Sequence, residues 1–326
     1  MNKAVTSKKI CIQFAISFFL LVAAFVLSLS LGAEKLPLKV FFGAGDKFQN
    51  IIFWNIRLPR SLLVLVTGIL LGGSGTIFQM FFRNPLAEPG IMGISSGATL
   101  GAVCASVLGF GLGINITAFA GAILAGILVT SLAFSHSGQN SSIMLLLCGT
   151  ALGTLYSAIS SMLLLTCNKE LHAIYSWILG SFGGRSWKEL YFILLPAVIS
   201  VIIMFKISRP LDLLTGGEKS AASLGVEVGR LRVLVLISGA LAISCCVCAG
   251  GTIGFVGLIA PHIVRRFVGP KSRGLIPFSM IFGAIILLLS DTFARIIISP
   301  AELPAGIITS ILGVPFFITL CLKKQN

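Results

Sequence analysis

The sequence predicts an all-α, polytopic membrane protein with ten transmembrane helices, on two observations. First, the 326 residues are 56% hydrophobic and only 10% charged, with a mean hydropathy of +1.03. A soluble domain carries about a quarter Asp, Glu, Lys and Arg, so this chain has too few charges to solvate a globular surface. Second, the apolar residues are gathered into ten long runs. A soluble enzyme, a disordered tail and a coiled coil are excluded.

Each run is close to the length of about 17–25 residues that a helix needs to cross a bilayer. The first run follows Lys3, Lys8 and Lys9, as a signal sequence would, but it is longer than a signal-peptide core and lacks a small-residue cleavage site before Glu34. We interpret it as a retained helix. The eighth run is short and rich in glycine, which predicts a tilted or partly broken span. The ten runs are 10–31, 61–82, 90–111, 115–134, 143–166, 190–207, 233–249, 252–267, 275–293 and 305–322.

Small and hydroxyl residues inside the runs indicate how the helices pack. The second run contains Gly68, Gly72, Gly73 and Gly75, and small residues let helix backbones approach closely in lipid. The fifth run carries hydroxyl groups at helical spacing, which either line a polar path or bond back to carbonyls of their own helix. These hydroxyl residues are Thr150, Thr154, Ser157, Ser160 and Ser161.

The net charge of +14 sorts by side of the membrane. With ten spans and an inner N-terminus, the inner segments hold 15 of the 24 basic and 4 of the 10 acidic residues, which leaves +11 inside and +3 outside. Because Lys and Arg are enriched in cytoplasmic loops, both termini are predicted to be cytoplasmic, and no nucleic acid is required to explain the charge. Arg57, Arg60 and Arg295 are exceptions, because they lie beside the outer ends of predicted spans.

The sequence contains few motifs or charged residues that would support catalysis or ion coupling. It contains no Gly-Lys pair and therefore no Walker A motif. A Gly-x-Ser-x-Gly match at 93–97 opens an apolar run and lacks the strand–turn–helix setting of a nucleophile. Carboxylates within the runs are nearly absent, which argues against an ion-coupled carrier, and the eight Cys and three His are not spaced as a metal site. We expect no enzyme activity and no cofactor or metal bound by this chain.

A similarity between two stretches of the sequence predicts an inverted repeat within a single transmembrane domain spanning 1–326. Val-Leu-Val-Thr-Gly-Ile-Leu at 64–70 is similar to Val-Leu-Ile-Ser-Gly-Ala-Leu at 235–241. In the predicted topology the two stretches run in opposite directions, as in transporters whose path lies between inverted repeats. The repeats would cover roughly 57–166 and 228–322.

Seven stretches at span ends are more specific. In this order and spacing they resemble the FecCD-type permease family of ABC importers, which move iron-siderophores, haem or cobalamin. The resemblance covers essentially the whole chain, and the family has ten helices. The stretches are RLPR at 57–60, NPLAEPGIMGISSGA at 84–98, WILGSFGGRSW at 177–187, SLGV at 223–226, GFVGLIAPHIVR at 254–265, SDTFAR at 290–295 and AELPAGI at 301–307.

The resemblance implies a type II ABC importer permease. Such permeases form a dimer, here with an identical or related second copy, and each copy docks one cytoplasmic ATPase that uses ATP and Mg²⁺. An extracytoplasmic solute-binding protein delivers the ligand. Arg57, Arg60 and Arg295 match family arginines that pair with glutamates on the two lobes of that binding protein, and guanidinium groups suit carboxylate recognition. For Arg57 and Arg60 the alternative is anchoring to lipid headgroups.

Two inner segments match functional segments of the family. The loop between the sixth and seventh runs is similar to the coupling segment, a short helix seated in a cleft of the ATPase; the alternative is an ordinary solvated helix. Ser141 and Ser142, in the inner loop 137–142, match the cytoplasmic gate; the alternative is a solvated turn. By the same resemblance, the fifth and tenth runs line the path. The coupling segment comprises Glu218, Lys219, Ser220, Ala221, Ala222, Ser223, Leu224 and Gly225, and the glycine is suited to ending the helix.

We therefore expect the permease subunit of an ATP-driven importer of an iron-siderophore or related metal chelate, in a bacterial or archaeal cell membrane. Haem or cobalamin import by the same family is one alternative. Arg185, in an outer segment, would favour anionic iron chelates or dock the binding protein. An ATP-independent secondary transporter built on inverted repeats is the alternative from a different class. The expected partners are the second permease copy, two ATPase subunits, the binding protein and the lipid bilayer.

Overall fold

The computed structural model describes residues 7–34, 36–43, 45–88, 90, 93–108, 113–134, 141–165 and 177–323. These residues form helices and loops, with no β-strand within those ranges. Each of the ten predicted runs contains one long helix, which confirms the predicted fold class. In chain order the helices are α1 (Ser7–Ser30), α2 (Lys47–Ile51), α3 (Leu58–Phe81), α4 (Ile94–Leu108), α5 (Ile114–Phe134), α6 (Ser141–Leu165), α7 (Trp187–Lys206), α8 (Ser208–Leu214), α9 (Glu218–Ser223), α10 (Val228–Gly250), α11 (Val256–Val268), α12 (Ser272–Ile296) and α13 (Ala305–Lys323).

Seven helical segments within the described residues are long and apolar enough to cross a bilayer, α4 and α13 are shorter apolar helices, and α11 is a short helix with Arg265 and Arg266 in its last turn. Helix α11 has only 13 residues because the chain before it, from Gly251 to Phe255, is not helical. Gly251 has a φ of +73°, which a helix cannot contain. The partly broken span predicted for the eighth run is confirmed.

Helix α3 lies at the centre of the bundle, in contact with α10, α11 and α12. A π-helical turn, Ile52–Arg57, joins it to α2. A Cβ atom on Gly72 would overlap the Ser279 carbonyl of α12, and one on Gly75 would overlap Gly257 of α11. Helices in lipid are held together by such close packing, because no hydrophobic drive acts between them. The glycines predicted to bring helices together do so in the structure.

The peripheral helices contrast with this centre. In their apolar windows α1, α5, α6 and α7 bury 22–28% of the residues, against 78% for α3 and α10. Large side chains such as Phe19 and Leu195, each 70% exposed, cover the outside. Apolar surface on this scale is stable only in lipid or against another subunit.

Two long buried helices are each followed by a break and a short helix. Helix α3 leads through the chain around Asn84 to α4, and α10 leads through Gly251 to α11. This correspondence is the one expected of the repeats at 57–166 and 228–322. The repeat itself, and the single domain spanning 1–326, stay predictions.

Candidate functional site

The three arginines predicted to dock a binding protein lie together at one end of the bundle, and all are buried. Arg57, Arg60 and Arg295 are 5%, 6% and 3% exposed. Arg57 and Arg60 are three residues apart and share a face, as do Asp291 and Arg295, four apart on α12. Because α3 and α12 pack along their length, the two faces meet and form one ion cluster.

Two carboxylates hold the cluster together. Asp291, fully buried, lies 2.9 Å from Arg60 Nη2 through Oδ1 and 3.2 Å from Arg295 Nε through Oδ2. Arg60 Nη1 also lies 2.7 Å from Glu302 Oε2, and the Glu302 side chain is 39% exposed. Glu302 is therefore the exposed member of an otherwise buried cluster.

Helix α1 is joined to this cluster through its carbonyls. Arg57 Nη1 donates to Leu29 O at 2.9 Å, and Nη2 donates to Glu34 O. Arg295 Nη2 donates to Ser28 O at 2.9 Å. Guanidinium groups removed from water are costly unless paired, so these bonds lock α1, α3 and α12 in register. The predicted arginines come together as a structural clamp, and their docking role stays a prediction.

The predicted coupling segment forms a short helix on the surface of the bundle. Ala221 is fully buried and anchors α9, whereas Leu224 beside it is 65% exposed. Glu218 Oε1 lies 3.5 Å from Arg232 Nη2. Gly225 has a φ of +84° and follows the end of the helix, as the sequence predicts. The remaining members of the segment, Lys219, Ser220, Ala222 and Ser223, are exposed.

Helix α8, which contacts the coupling helix α9, is hydrogen-bonded to the start of α12. Asp212, on α8, accepts hydrogen bonds from Ser272 N at 2.7 Å and from Ser272 Oγ at 2.9 Å. This carboxylate caps the N-terminus of α12, where backbone N–H groups lack helical partners. Helix α12 thus begins against α8, which contacts the coupling helix α9, and ends in the ion cluster of Asp291 and Arg295.

A cavity of about 620 Å³ lies between the chain preceding α4, the chain preceding α11, and α13. Its lining is largely apolar, with hydroxyl groups from Ser95, Thr252 and Ser310. The tenth predicted span, α13, contributes residues to the lining, and its place on the transport path stays a prediction. Helix α6, the fifth span, contributes none of the lining residues among those described.

The hydroxyl groups of α6 are occupied within their own helix. Thr154 Oγ1 donates to Thr150 O at 2.9 Å, and Ser160 Oγ donates to Tyr156 O at 2.7 Å. Thr150, Ser157 and Ser161 make the same kind of bond. Of the two interpretations of this pattern, the structure favours back-bonding.

Glu88, one of the four acidic residues that the sequence assigns to the inner segments, lies in the cavity wall. Its Oε1 accepts a hydrogen bond from Phe255 N at 2.7 Å. Phe255 precedes α11 and has a φ of +67°. The carboxylate therefore caps α11 from the chain that leads to α4, and a negative charge at a helix N-terminus is favourable. Glu88 joins the two predicted repeats.

Two further sequence expectations concern Arg185 and the gate. Arg185 folds back, with Nη1 3.4 Å from Asn115 Oδ1. Burial lowers the pKa of Arg185, and the Glu189 carboxylate partly offsets this. It is not directed outward. Helix α6 begins at Ser141, but the side chains of Ser141 and Ser142 lie outside the described residues.

The lipid-facing helices, the cavity and the exposed α9 surface together define a polytopic membrane transport protein. Residues 20–323 match the FecCD transport family. The Iron(3+)-hydroxamate import system permease protein FhuG of Bacillus subtilis is 36% identical over 99% of this chain and 100% of its own length. The Vitamin B12 import system permease protein BtuC of Citrobacter koseri is 36% identical over 94% of this chain and 93% of its own.

A solved structure has the same architecture. It is an inward-facing conformation of an ABC transporter assigned to the metal-chelate type, and it is 36% identical to this chain. It superposes with a TM-score of 0.84, covering 94% of this chain and 97% of the other. The chain belongs to the FecCD transport family, and its fold is that of an ABC importer permease.

Proposed function

We propose that this chain is the permease subunit of an ABC importer that moves an iron-siderophore or a related metal chelate into the cytoplasm. The observation that carries the proposal is the cavity of about 620 Å³, which has the volume of a small-molecule site. Its mixture of apolar walls and hydroxyl groups suits an amphipathic chelate. The full-length similarity to FhuG, whose name gives iron(3+)-hydroxamate import, supports the same ligand class. Haem and cobalamin are the alternatives, and BtuC supports the latter.

The charge of the cavity favours one kind of iron chelate. Glu88 is the only ionisable side chain among the described lining residues. A ferric trihydroxamate is neutral, because its three hydroxamate anions balance Fe³⁺, whereas a ferric tris-catecholate is trianionic. A carboxylate in a poorly solvated wall repels the second far more strongly than the first. A neutral trihydroxamate is therefore the preferred cargo.

The energy for transport comes from partner ATPases. The chain has no Gly-Lys pair with which to build a Walker A motif, and the coupling segment exposes Leu224, directly after α9, near the buried anchor Ala221. An exposed apolar side chain on a short helix is suited to insertion into a cleft. Each of two permease copies seats one ATPase here, and ATP and Mg²⁺ bind to that partner. Ser141 and Ser142 form the cytoplasmic gate in this proposal.

Docking of the binding protein takes place at the ion cluster. Arg57 and Arg295 are held by main-chain carbonyls and Asp291, whereas Arg60 shares one guanidinium nitrogen with the half-exposed Glu302. A glutamate of the binding protein is able to replace Glu302 on Arg60 without breaking the buried pair with Asp291. The cluster thus accepts a partner by exchange of one carboxylate for another.

The proposal is tested by uptake into proteoliposomes that contain the permease, its ATPase and its binding protein. With ATP we expect accumulation of ferric trihydroxamate about tenfold above ferric tris-catecholate, haem or cobalamin. Preferential uptake of haem or cobalamin would establish the alternative ligand instead. Uptake driven by an ion gradient without the ATPase would show a secondary transporter and overturn the proposal.

The variant Glu88→Gln isolates the contribution of the permease. The glutamine oxygen still accepts the bond from Phe255 N, so α11 stays capped while the charge is lost. With the same binding protein, we expect the preference over tris-catecholate to fall several-fold, on the order of 1 kcal/mol. An unchanged preference would remove Glu88 as the source of selectivity.

A further inference from the structure

A narrow groove runs between α1 and the junction of α11 with α12, away from the cavity. Its volume is about 160 Å³, and its walls are apolar apart from Gln13 and Ser17. Ile16 on α1 and Phe267 on α11 are 55% and 58% exposed, so the groove opens on the outside of the bundle. From Gln13 to Leu20 it extends about 10 Å along α1. This shape accommodates a stretch of acyl chain.

One end of the groove carries an unsatisfied polar group. Gln13 Nε2 donates to Phe267 O at 3.4 Å, while Gln13 Oε1 is buried without a hydrogen-bond partner. A buried amide oxygen without a donor is costly. The occupant that best fits therefore brings a hydroxyl donor to this end and an aliphatic chain to the other.

Basic residues are placed at the same end as Gln13. Lys271 lies four residues after Phe267, whose carbonyl bonds Gln13, and immediately before α12. Lys271 and Arg273 are exposed. Asp212 already accepts the hydrogen bond of Ser272 N at the start of α12, so an anion at this position is held by these basic side chains. Positive charge at the cytoplasmic mouth of a crevice between helices recruits anionic headgroups.

We propose that this groove is a binding site for one anionic phospholipid of the surrounding bilayer. An acyl chain lies along Ile16 and Phe267, the phosphate lies at the level of Lys271 and Arg273, and a headgroup or glycerol hydroxyl donates to Gln13 Oε1. The lipid bridges α1 to α11 and α12. Helix α1 has few other neighbours besides α12, so the lipid adds a second attachment for the helix that also holds the arginine cluster.

The test compares lipids on the purified full-length permease in detergent. Thermal unfolding and native mass spectrometry are measured with phosphatidylglycerol, with phosphatidylcholine of identical acyl chains, and with inorganic phosphate. We expect phosphatidylglycerol alone to raise Tm by several degrees and to be retained as one lipid per chain. Equal effects of the two lipids, or an equal effect of phosphate, would overturn the proposal.

Variants separate the two halves of the site. Lys271→Gln with Arg273→Gln removes charge from the surface, and Ile16→Trp fills the groove at an exposed position. Each should lower retention of phosphatidylglycerol by about tenfold, while Lys39→Gln with Lys188→Gln, exposed residues elsewhere on the chain, leaves it unchanged. Full retention in both groove variants would also exclude the site. The readout is independent of transport, so its failure leaves the proposed function untouched.

Discussion

The two ends of the bundle handle charge in opposite ways. In the ion cluster Arg60 and Arg295 are almost fully buried and share the buried carboxylate of Asp291. At the coupling segment, Lys219 and Leu224 are exposed. Buried ion pairs fix the geometry of their side chains, and loss of one partner is strongly destabilising because it leaves an unpaired buried charge. An exposed surface, by contrast, is available for contact with another protein. The end that carries the ion cluster is held by buried pairs and exposes only the Glu302 carboxylate, whereas the end that carries the coupling segment presents several exposed side chains.

Helix α12 connects these two ends. It starts at Ser272, capped by Asp212 of α8, and its last turns carry Asp291 and Arg295. Its 25 residues span about 37 Å. In the proposed importer, a displacement of α8 by an ATPase bound at the neighbouring α9 would be passed to the ion cluster through α12. The contrast between the ends predicts that loss of a buried partner in the ion cluster mainly lowers stability, whereas changes near the coupling segment mainly lower ligand uptake per ATP hydrolysed.

The largest effect is expected for Asp291→Asn. This variant leaves the guanidiniums of Arg60 and Arg295 buried without their shared charge partner, at a cost of about 3–5 kcal/mol. Thermal unfolding in detergent should show a markedly lower Tm. Glu227→Gln, at an exposed acid near the inner end, serves as control and should stay within about 0.5 kcal/mol. If both variants unfold together, the ion cluster is not a clamp.

The sequence alone does not predict that these arginines are buried. Hydropathy predicted all ten helices, because a lipid-exposed span must satisfy its own backbone. It also placed Arg57, Arg60 and Arg295 at span ends. Their partners are set by packing between distant segments: Asp291 lies 231 residues from Arg60. The one local signal was the four-residue spacing of Asp291 and Arg295.

Glu88 shows the same limit at the cavity. Its sequence neighbours place it in a polar stretch, and on that basis it was assigned to the inner face. The bond from Phe255 N crosses 167 residues of chain and joins the two short-helix breaks. Hydropathy located both breaks but carries no information on which atoms meet across them. A cavity bounded by loops is consequently the part of this fold least visible in sequence.

The second prediction concerns the connection between the ends. Asp212→Ala removes the cap of α12 and should cost about 1 kcal/mol of stability. More informatively, it should lower ligand uptake per ATP hydrolysed, because only the bond from Ser272 Oγ to Ser208 O then joins Ser272 to α8. Asp212→Asn is the matched control, since asparagine caps helices about as well as aspartate. Equal coupling ratios in the two variants would show that α12 does not transmit the motion.

For Glu302→Gln we expect a smaller loss of stability, together with faster rather than slower association with the binding protein. The carboxylate is half-exposed, so its loss should cost at most about 1 kcal/mol. Because Glu302 competes for Arg60 in the proposed docking step, its neutralisation should accelerate association with the binding protein at low salt. The gain should vanish at about 1 M salt, where the screening length is near 3 Å. Slower or unchanged association would remove Arg60 from the docking surface.

The smallest effect on stability, with a large effect on function, is expected for Ala222→Trp. Ala222 is exposed on α9 next to the buried Ala221, so the free energy of unfolding should change by no more than about 0.5 kcal/mol. A bulky ring on this face should prevent seating of the ATPase and abolish ATP-driven uptake. Ala15→Trp, on the exposed surface of α1, adds the same bulk and should preserve both. Normal uptake by the Ala222 variant would mean that α9 is only a solvated helix, and the ATPase would then have to contact another inner surface.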